Sequence, residues 1–453
     1  MHPILVLVLA IAVVFVLIIK LRINAFIALI CAAMAVGILS PLVPLGQVMP
    51  EVASAFGRVC GNIGIGIALA ALIGQCLMES GAADKITRVF VRVMGGKHPS
   101  VSLLGSSYVL AVPVFFDTVF YLLVPLARAM RVRTGKNYLL FLMSIGAGGA
   151  VTHSMVPPTP GPLAMAATLG VDLGMMILVG AMVGVPMSFA GWCFSIYRDR
   201  QLDLPLRETP GLTLKELEEL ARQHDDKLPS FAMAMLPIVL PVLLITSHTI
   251  AMAVYGNTQP QLTNITGFLG NPNFALLVAA AISLYLLAHQ RGYSLSELAR
   301  PVETALASGG LIILITAGGG AFGGMLVLAQ VGKTLGDMSQ AWGIPLLMLS
   351  FLLAALLKMA QGSGTVAMIT VSSIVAPMVL ASPPPFHVVY VACAIGSGSL
   401  VGSWMNDSAF WIYKQMSGLT EVEALKTWTP LLVVLGVTGY VVTQIAAILM
   451  PMM

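Results

Sequence analysis

Apolar runs long enough to cross a lipid bilayer recur along the whole chain, and they limit its fold more than any motif does. They fall at 3–19, 24–41, 60–78, 138–156, 174–197, 231–252, 273–289, 306–328, 386–404 and 428–450. A spanning helix needs about 17–25 such residues, whereas a spanning β-strand needs only about 9–11. Composition agrees: 58% of residues are hydrophobic and 9% charged, where soluble domains carry about 25% charge. The expected fold is an all-α integral membrane protein, with the bilayer as a partner. The net charge of +4 is not pooled into a basic patch, which excludes a nucleic-acid surface. Cys31, Cys60, Cys76, Cys193 and Cys393 are scattered without a C-x-x-C pair, so neither a metal site nor a disulfide framework is expected. The first run lacks a basic n-region and a cleavage site, so it reads as a retained span.

Two further runs, 100–130 and 343–381, are too long for one helix, and each is interrupted near its centre, by PVFFDT and by AQGSGT. Basic residues cluster after the first span (Lys20, Arg22), after the third (Lys85, Arg88, Arg92, Lys97), after 100–130 (Arg128, Arg131, Arg133, Lys136) and after 197 (Arg198, Arg200). The positive-inside rule assigns all of these to the cytoplasm. Both ends of 100–130 then lie on one side, which predicts a re-entrant hairpin with its tip inside the membrane. Surface helices are expected at 82–94, 294–300 and 332–341. The polar stretch 198–230 reads as a cytoplasmic linker, with a capping pattern at Thr213–Glu216.

The second half resembles the first at an offset of roughly 250. INAFIALICAAMAVGI (23–38) matches PNFALLVAAAISLYLL (272–287), and FLMSIGAGGAVTHSM (141–155) matches VYVACAIGSGSLVGSWM (389–405), with Gly146/Gly396 and Gly148/Gly398 in register. FFDTV (115–119) corresponds to GSGTV (362–366). The expected organisation is a first inverted repeat over 1–197, with hairpin 100–130 and broken helix 138–170. The linker is 198–230. The second repeat is 231–453, with hairpin 343–381 and broken helix 386–417. Each repeat contributes about five crossings plus a hairpin, which puts both termini outside the cell in a multi-pass plasma (inner) membrane protein. Inverted repeats with broken helices at mid-membrane are the plan of secondary transporters.

Four polar interruptions are the candidate site. In the first, Pro113 breaks the helix, and Asp117 and Thr118 follow. An intramembrane carboxylate is costly, so Asp117 reads as a proton carrier or coupling-ion ligand, or else as an N-cap. In the second, SIGAGGAVTHSMVPPTPGP, the prolines forbid a continuous helix, leaving Gly148, Gly149, Thr152, His153, Ser154 and Thr159 beside the break. His153 could exchange a proton or simply bond a carbonyl, and the glycines could instead serve helix packing. In the third, Gly362, Ser363, Gly364 and Thr365 offer amides and hydroxyls to an anion. Lys358 lies just upstream, as a counter-charge or as a side chain snorkelling to an interface. In the fourth, Gly398, Ser399, Ser403, Asn406 and Asp407 could bind substrate hydroxyls. Asp407 is there a second titratable group or an N-cap.

In this order, PVFFDTVFYLLVPLA (113–127), VTHSMVPPTPGPLAMA (151–166), GSGTVAMIT (362–370) and IGSGSLVGSWMNDSAFW (395–411) resemble the GntP-type gluconate:proton symporter family of the ion-transporter superfamily. The likeness runs the length of the chain. It implies proton-driven uptake of gluconate or a related small hydroxy-carboxylate, with Asp117, His153, Asn406 and Asp407 as polar site residues, of which Asp117, His153 and Asp407 are the candidates for coupling the proton. It implies that backbone around Gly146–Gly149, Gly362–Gly364 and Gly396–Ser399 holds the carboxylate. It also implies a homodimer with elevator-like alternating access. Three positions depart: the family usually has Glu at Asp117, His at Thr159 and Ala at Gly364.

Three other functional classes compare with this reading. A channel would need rings of like groups around an axis, which one inverted repeat does not supply. An intramembrane enzyme would need a nucleophile–base set or metal ligands, and neither H-E-x-x-H nor G-x-S-x-G occurs. A sodium-coupled carboxylate or amino-acid symporter of the same fold stays open, because hydroxyls and carbonyls at the breaks could hold sodium. Beyond the coupling ion no cofactor is expected.

Overall fold

The computed structural model describes residues 3–21, 23–93, 98–113, 115–202, 204–207, 228–255, 258–331, 334, 345–405 and 407–452. Helix is the regular structure of these residues, and eight helical segments among them are long and apolar enough to cross a membrane. Large apolar side chains cover the outside of these helices: Met182, Val185 and Phe189 are 62%, 61% and 59% exposed. In water such a surface would aggregate, whereas lipid solvates it.

The first half runs α1 (Pro3–Phe15), α2 (Ala25–Leu39), α3 (Val48–Glu79), α4 (Ala82–Val93), α5 (Pro99–Leu110), α6 (Phe116–Thr134), α7 (Tyr138–Met155), α8 (Pro160–Leu169) and α9 (Leu173–Gln201). The second runs α10 (Phe231–Tyr255), α11 (Pro260–Leu269), α12 (Pro272–Arg291), α13 (Ala299–Leu328), α14 (Leu346–Gln361), α15 (Gly364–Ala381), α16 (Val389–Gly398), α17 (Ser408–Ser417) and α18 (Glu421–Leu449).

Several expectations need correction. The third run, read as 60–78, is part of a 32-residue helix that starts at Val48, because the polar Glu51, Arg58 and Asn62 dilute its hydropathy without disturbing its backbone. The segment 294–300 is not a helix of its own. Ser294 closes on Glu297, its amide and hydroxyl both donating to the Glu297 carboxylate, and this turn leads into α13. The run 386–404 yields only ten helical residues, α16, before the chain breaks. Arg128 does not face the cytoplasm freely: it is fully buried and donates to the carbonyls of Met416 and Arg207, tying α6 to the end of α17 and to the linker. Helix α11 was not anticipated. Most of 332–341, the Thr213–Glu216 pattern and Asn406 lie outside the described residues.

The long runs do break where polar residues interrupt them. The 100–130 run divides at 111–115 into α5 and α6, and the 343–381 run divides at Gly362–Ser363 into α14 and α15. Gly362 sits at φ +90°, in the left-handed region that suits glycine at a helix end. The chain between α7 and α8, which carries Pro157 and Pro158, is likewise non-helical.

Packing follows a reciprocal pattern. α2 packs on α13 and α12 on α3, while α3 packs on α13. α5 packs on α7 and α14 on α16; α8 packs on α15 and α17 on α6; α7 packs on α18 and α16 on α9. Gly148 and Gly398 permit two of these crossings. A Cβ on Gly148 would strike the Leu104 carbonyl of α5, and one on Gly398 would strike the Phe351 carbonyl of α14.

Candidate functional site

Three helix beginnings and two helix ends meet around a cavity of about 410 Å³. The N-terminal turns of α6, α15 and α17 bring Asp117, then Ser363, Gly364 and Thr365, then Asp407 and Ser408. The last turns of α7 and α14 bring His153, Ser154 and Lys358, and Ser399 comes from just beyond α16. Apolar walls come from Leu311, Ile312 and Ile315 of α13 and from Phe115, Phe116 and Trp428. Trp428 is held in place by Phe116 and Tyr413, with ring centroids 5.2 and 5.0 Å away, and donates to Ser403 Oγ at 2.9 Å.

The two carboxylates are held differently. Asp407 is the N-cap of α17: Oδ1 accepts from the Ala409 amide at 3.1 Å. Its Oδ2 accepts from Lys358 Nζ at 2.7 Å and from the Ser403 hydroxyl. Asp407 and Lys358 are 6% and 4% exposed, so this is a buried ion pair. Its desolvation is offset only because further hydrogen bonds complete it. Lys358 supplies one such bond, donating also to the Gly362 carbonyl that ends α14. Asp117, by contrast, is not a cap: Phe115 takes that position, and Asp117 sits in the first turn of α6. Among the described residues its carboxylate accepts no hydrogen bond.

Donors that lack partners also point inward. Ser363 caps α15 by accepting from the Val366 amide at 3.3 Å, and the Ala367 amide bonds the Ser363 carbonyl. Among the described residues, the first two amides of α15, at Gly364 and Thr365, have no hydrogen-bond partner, and both residues line the cavity. His153 Nδ1 is buried without a hydrogen-bond partner among the described residues, its ring edge-on to Phe115.

Of the residues singled out in the sequence, Asp117, His153, Ser154, Lys358, Ser363, Gly364, Thr365, Ser399 and Asp407 line this cavity. Thr118, Gly148, Gly149, Thr152, Thr159, Gly362 and Gly398 do not. Gly146–Gly149 were expected to present free backbone, but they lie inside the continuous helix α7. Their peptide groups are consumed by it, and what they offer is close approach of α5 and Phe116. Gly396 and Gly398 similarly belong to α16. Thr152 is fully buried away from the cavity. Thr159 donates to the Val156 carbonyl at 2.6 Å, beside a separate small void of about 10 Å³. Gly362 contributes the carbonyl under Lys358. Asn406 lies outside the described residues.

A second cavity, also about 410 Å³, lies further along α13 and α15. It is lined by Glu51, Arg58 and Asn62 of α3, Thr168 of α8, Gly320–Leu328 of α13 and Ser373–Leu380 of α15. From Thr365 to Ser373 along α15 is about 12 Å at the helical rise. A small apolar cluster of Ile63, Ile67, Leu163, Ala164 and Ile369 joins α3, α8 and α15, and Ile369 falls between Thr365 of the first cavity and Ser373 of the second along α15.

A family model described as GntP family permease matches residues 2–449. Among curated relatives, "Inner membrane permease YgbN" of Escherichia coli is 32% identical, the match covering 94% of each chain. "Gluconate permease" of Pseudomonas aeruginosa is 33% identical over 94% of this chain and 93% of the relative. "Low-affinity gluconate transporter" of Escherichia coli is 31% identical over 95% of each. The solved structure of the Alcanivorax borkumensis YdaH transporter resembles this fold with a TM-score of 0.63 at 13% identity, covering 94% of this chain and 98% of that one.

Proposed function

The chain belongs to the GntP family of permeases, and from that premise we propose that it is a secondary transporter importing a small hydroxy-carboxylate, gluconate or a related sugar acid, by proton symport across the inner membrane. The observation that carries this is the convergence of three helix N-termini, two carboxylates and a buried lysine on one cavity within an apolar bundle. Orphan amides at Gly364 and Thr365 suit a carboxylate group. Asp117, Ser154 and Ser399 offer acceptors to hydroxyls, and the aliphatic wall of α13 suits a carbon chain. Relatives named for gluconate support the substrate class.

Proton coupling rests on the two carboxylates of the cavity, Asp117 and Asp407, with His153 nearby. A carboxylate in the first turn of a helix, facing a cavity and holding no hydrogen bond from the described residues, is free to change its protonation when the guest arrives. Of the groups on which the sodium alternative drew, the glycine carbonyls are taken up inside α7 and by Lys358, while the hydroxyls of Ser363 and Thr365 do line the cavity.

Alternating access is supported by two cavities strung along α15 and parted by a thin apolar plug. The reciprocal packing of α1–α9 against α10 and α12–α18 supports the two inverted repeats, with α5–α6 and α14–α15 as re-entrant hairpins, α7–α8 and α16–α17 as broken helices, and both termini outside. An elevator-like movement of the hairpin and broken-helix elements against α3 and α13, in a homodimer, completes the proposal.

The test is uptake of radiolabelled D-gluconate into proteoliposomes after a pH step in sodium-free buffer. Accumulation above equilibrium is expected, and Asp117→Asn should abolish it while sparing gluconate–gluconate exchange. Strict dependence on sodium, or full accumulation in the variant, would refute proton coupling through Asp117.

A further inference from the structure

We propose that Lys358 is the group that grips the substrate carboxylate, and that it does so by exchanging partners with Asp407, which takes up a transported proton as it lets go. The inference rests on the cavity being the carboxylate site and adds how charge is handled there.

Lys358 is the one lysine or arginine among the described residues lining the cavity. It is 4% exposed, so it does not snorkel to an interface. An ammonium carries three donors, and two are in use, to Asp407 Oδ2 and the Gly362 carbonyl. The third is left for a ligand oxygen, beside the orphan amides of Gly364 and Thr365. The carboxylate that an incoming anion must compete with is Asp407, which already has two other supports: the Ala409 amide on Oδ1 and the Ser403 hydroxyl on Oδ2. Asp407 can therefore leave the ammonium and remain in place as the cap of α17.

The charges then balance. In the empty site the Lys358 ammonium is paired with the Asp407 carboxylate. In the loaded site the ammonium is paired with the substrate carboxylate, and Asp407 holds a proton taken from the water of the compartment the cavity faces. One O–H bond forms on Asp407 as one breaks in the hydronium ion that supplies the proton, water is left behind, and nothing is oxidised or reduced. A monoanion entering with one proton adds no net charge to the pair, which avoids leaving a buried ion uncompensated. The other titratable groups facing this pair are Asp117 from α6 and His153 from α7. The walls from α13 and α18 contribute none, being Leu311, Ile312, Ile315, Trp428 and Leu432.

The experiment is calorimetric titration of the purified full-length protein with D-gluconate in two buffers of different ionisation enthalpy, which counts protons taken up per ligand bound. Lys358→Gln should weaken binding by about 10- to 100-fold, the range expected for a lost charged hydrogen bond, and Lys358→Arg should restore part of it. Asp407→Asn should bind at least as tightly as the parent while taking up about one proton fewer. The double variant leaves neither charge buried alone, so it should fold, and it should bind as weakly as Lys358→Gln. Binding by Lys358→Gln within about twofold of the parent, or undiminished proton uptake by Asp407→Asn, would overturn the exchange. A parent protein that binds no hydroxy-carboxylate would instead remove the carboxylate site itself, and the exchange with it.

Discussion

Asp117 and Asp407 show how two residues of one type in one cavity acquire different work from their surroundings. Both stood out in the sequence as carboxylates in apolar runs. The sequence could not say that Asp407 is paired with Lys358, because 49 residues separate them and only the approach of α14 to α17 joins them. Nor could it assign the glycines. GAGG in α7 and GSG in α16 read equally as ligand backbone or as packing, and the helices settle this by consuming their peptide groups. The packing role has a direct check. Gly398→Ala drives a Cβ into the Phe351 carbonyl and Ala354 and should cost about 1–3 kcal/mol, as overpacking does. Gly310→Ala, which meets nothing within 4 Å on α13, should gain up to about 1 kcal/mol from helix propensity. Equilibrium unfolding in detergent would separate the two, and equal effects would deny the close crossing of α14 and α16.

Among the elements, α18 shows how a long helix is fixed at its start. Thr420 caps it by accepting from the Glu423 amide, and Glu423 reaches back to the Thr420 amide. Arg207 of the linker then forks onto both Glu423 oxygens at 2.6 and 2.8 Å and donates to the Gly418 carbonyl. These bonds, with Arg128 and with Arg198 on the Lys426 carbonyl, gather the ends of α6, α9 and α17 at one pole of the bundle. Thr420→Ala should lower stability by about 1 kcal/mol, as loss of a cap does. Arg207→Ala should cost less, about 0.2–1 kcal/mol, because its pair is partly exposed. A larger loss for Arg207→Ala than for Thr420→Ala in the same unfolding assay would reverse that order. The interrupted runs were legible because proline, glycine and a charge mark them. The start of α3 was not, since a helix tolerates Glu51, Arg58 and Asn62 at little cost to its backbone while a hydropathy window does not.

Over the whole molecule, the sequence offers a repeated pattern at an offset near 250, and several helix contacts of one half have counterparts in the other, as α5 on α7 and α14 on α16 do. What no local pattern could give is the arrangement of two cavities around Ile63, Ile67, Leu163 and Ile369, because these residues come from three separate helices. If the plug divides inside from outside, single cysteines at Ser408 and at Asn62, in a background without the five native cysteines, should react with a membrane-impermeant thiol reagent from opposite faces of the membrane. Labelling of both from the same face, with neither reached from the other, would contradict the division.

The central claim is that the broken helix ends around Lys358, Asp117 and Asp407 receive a carboxylate. Its most direct test is a cryo-electron-microscopy map of the purified protein with the hydroxy-carboxylate that most stabilises it, where a hundredfold excess over its dissociation constant should add about 2.7 kcal/mol. Ligand density is expected between Lys358 and the first turn of α15, touching Gly364 and Thr365. Density confined to the cavity of Arg58 and Asn62, with the first cavity empty, would contradict it.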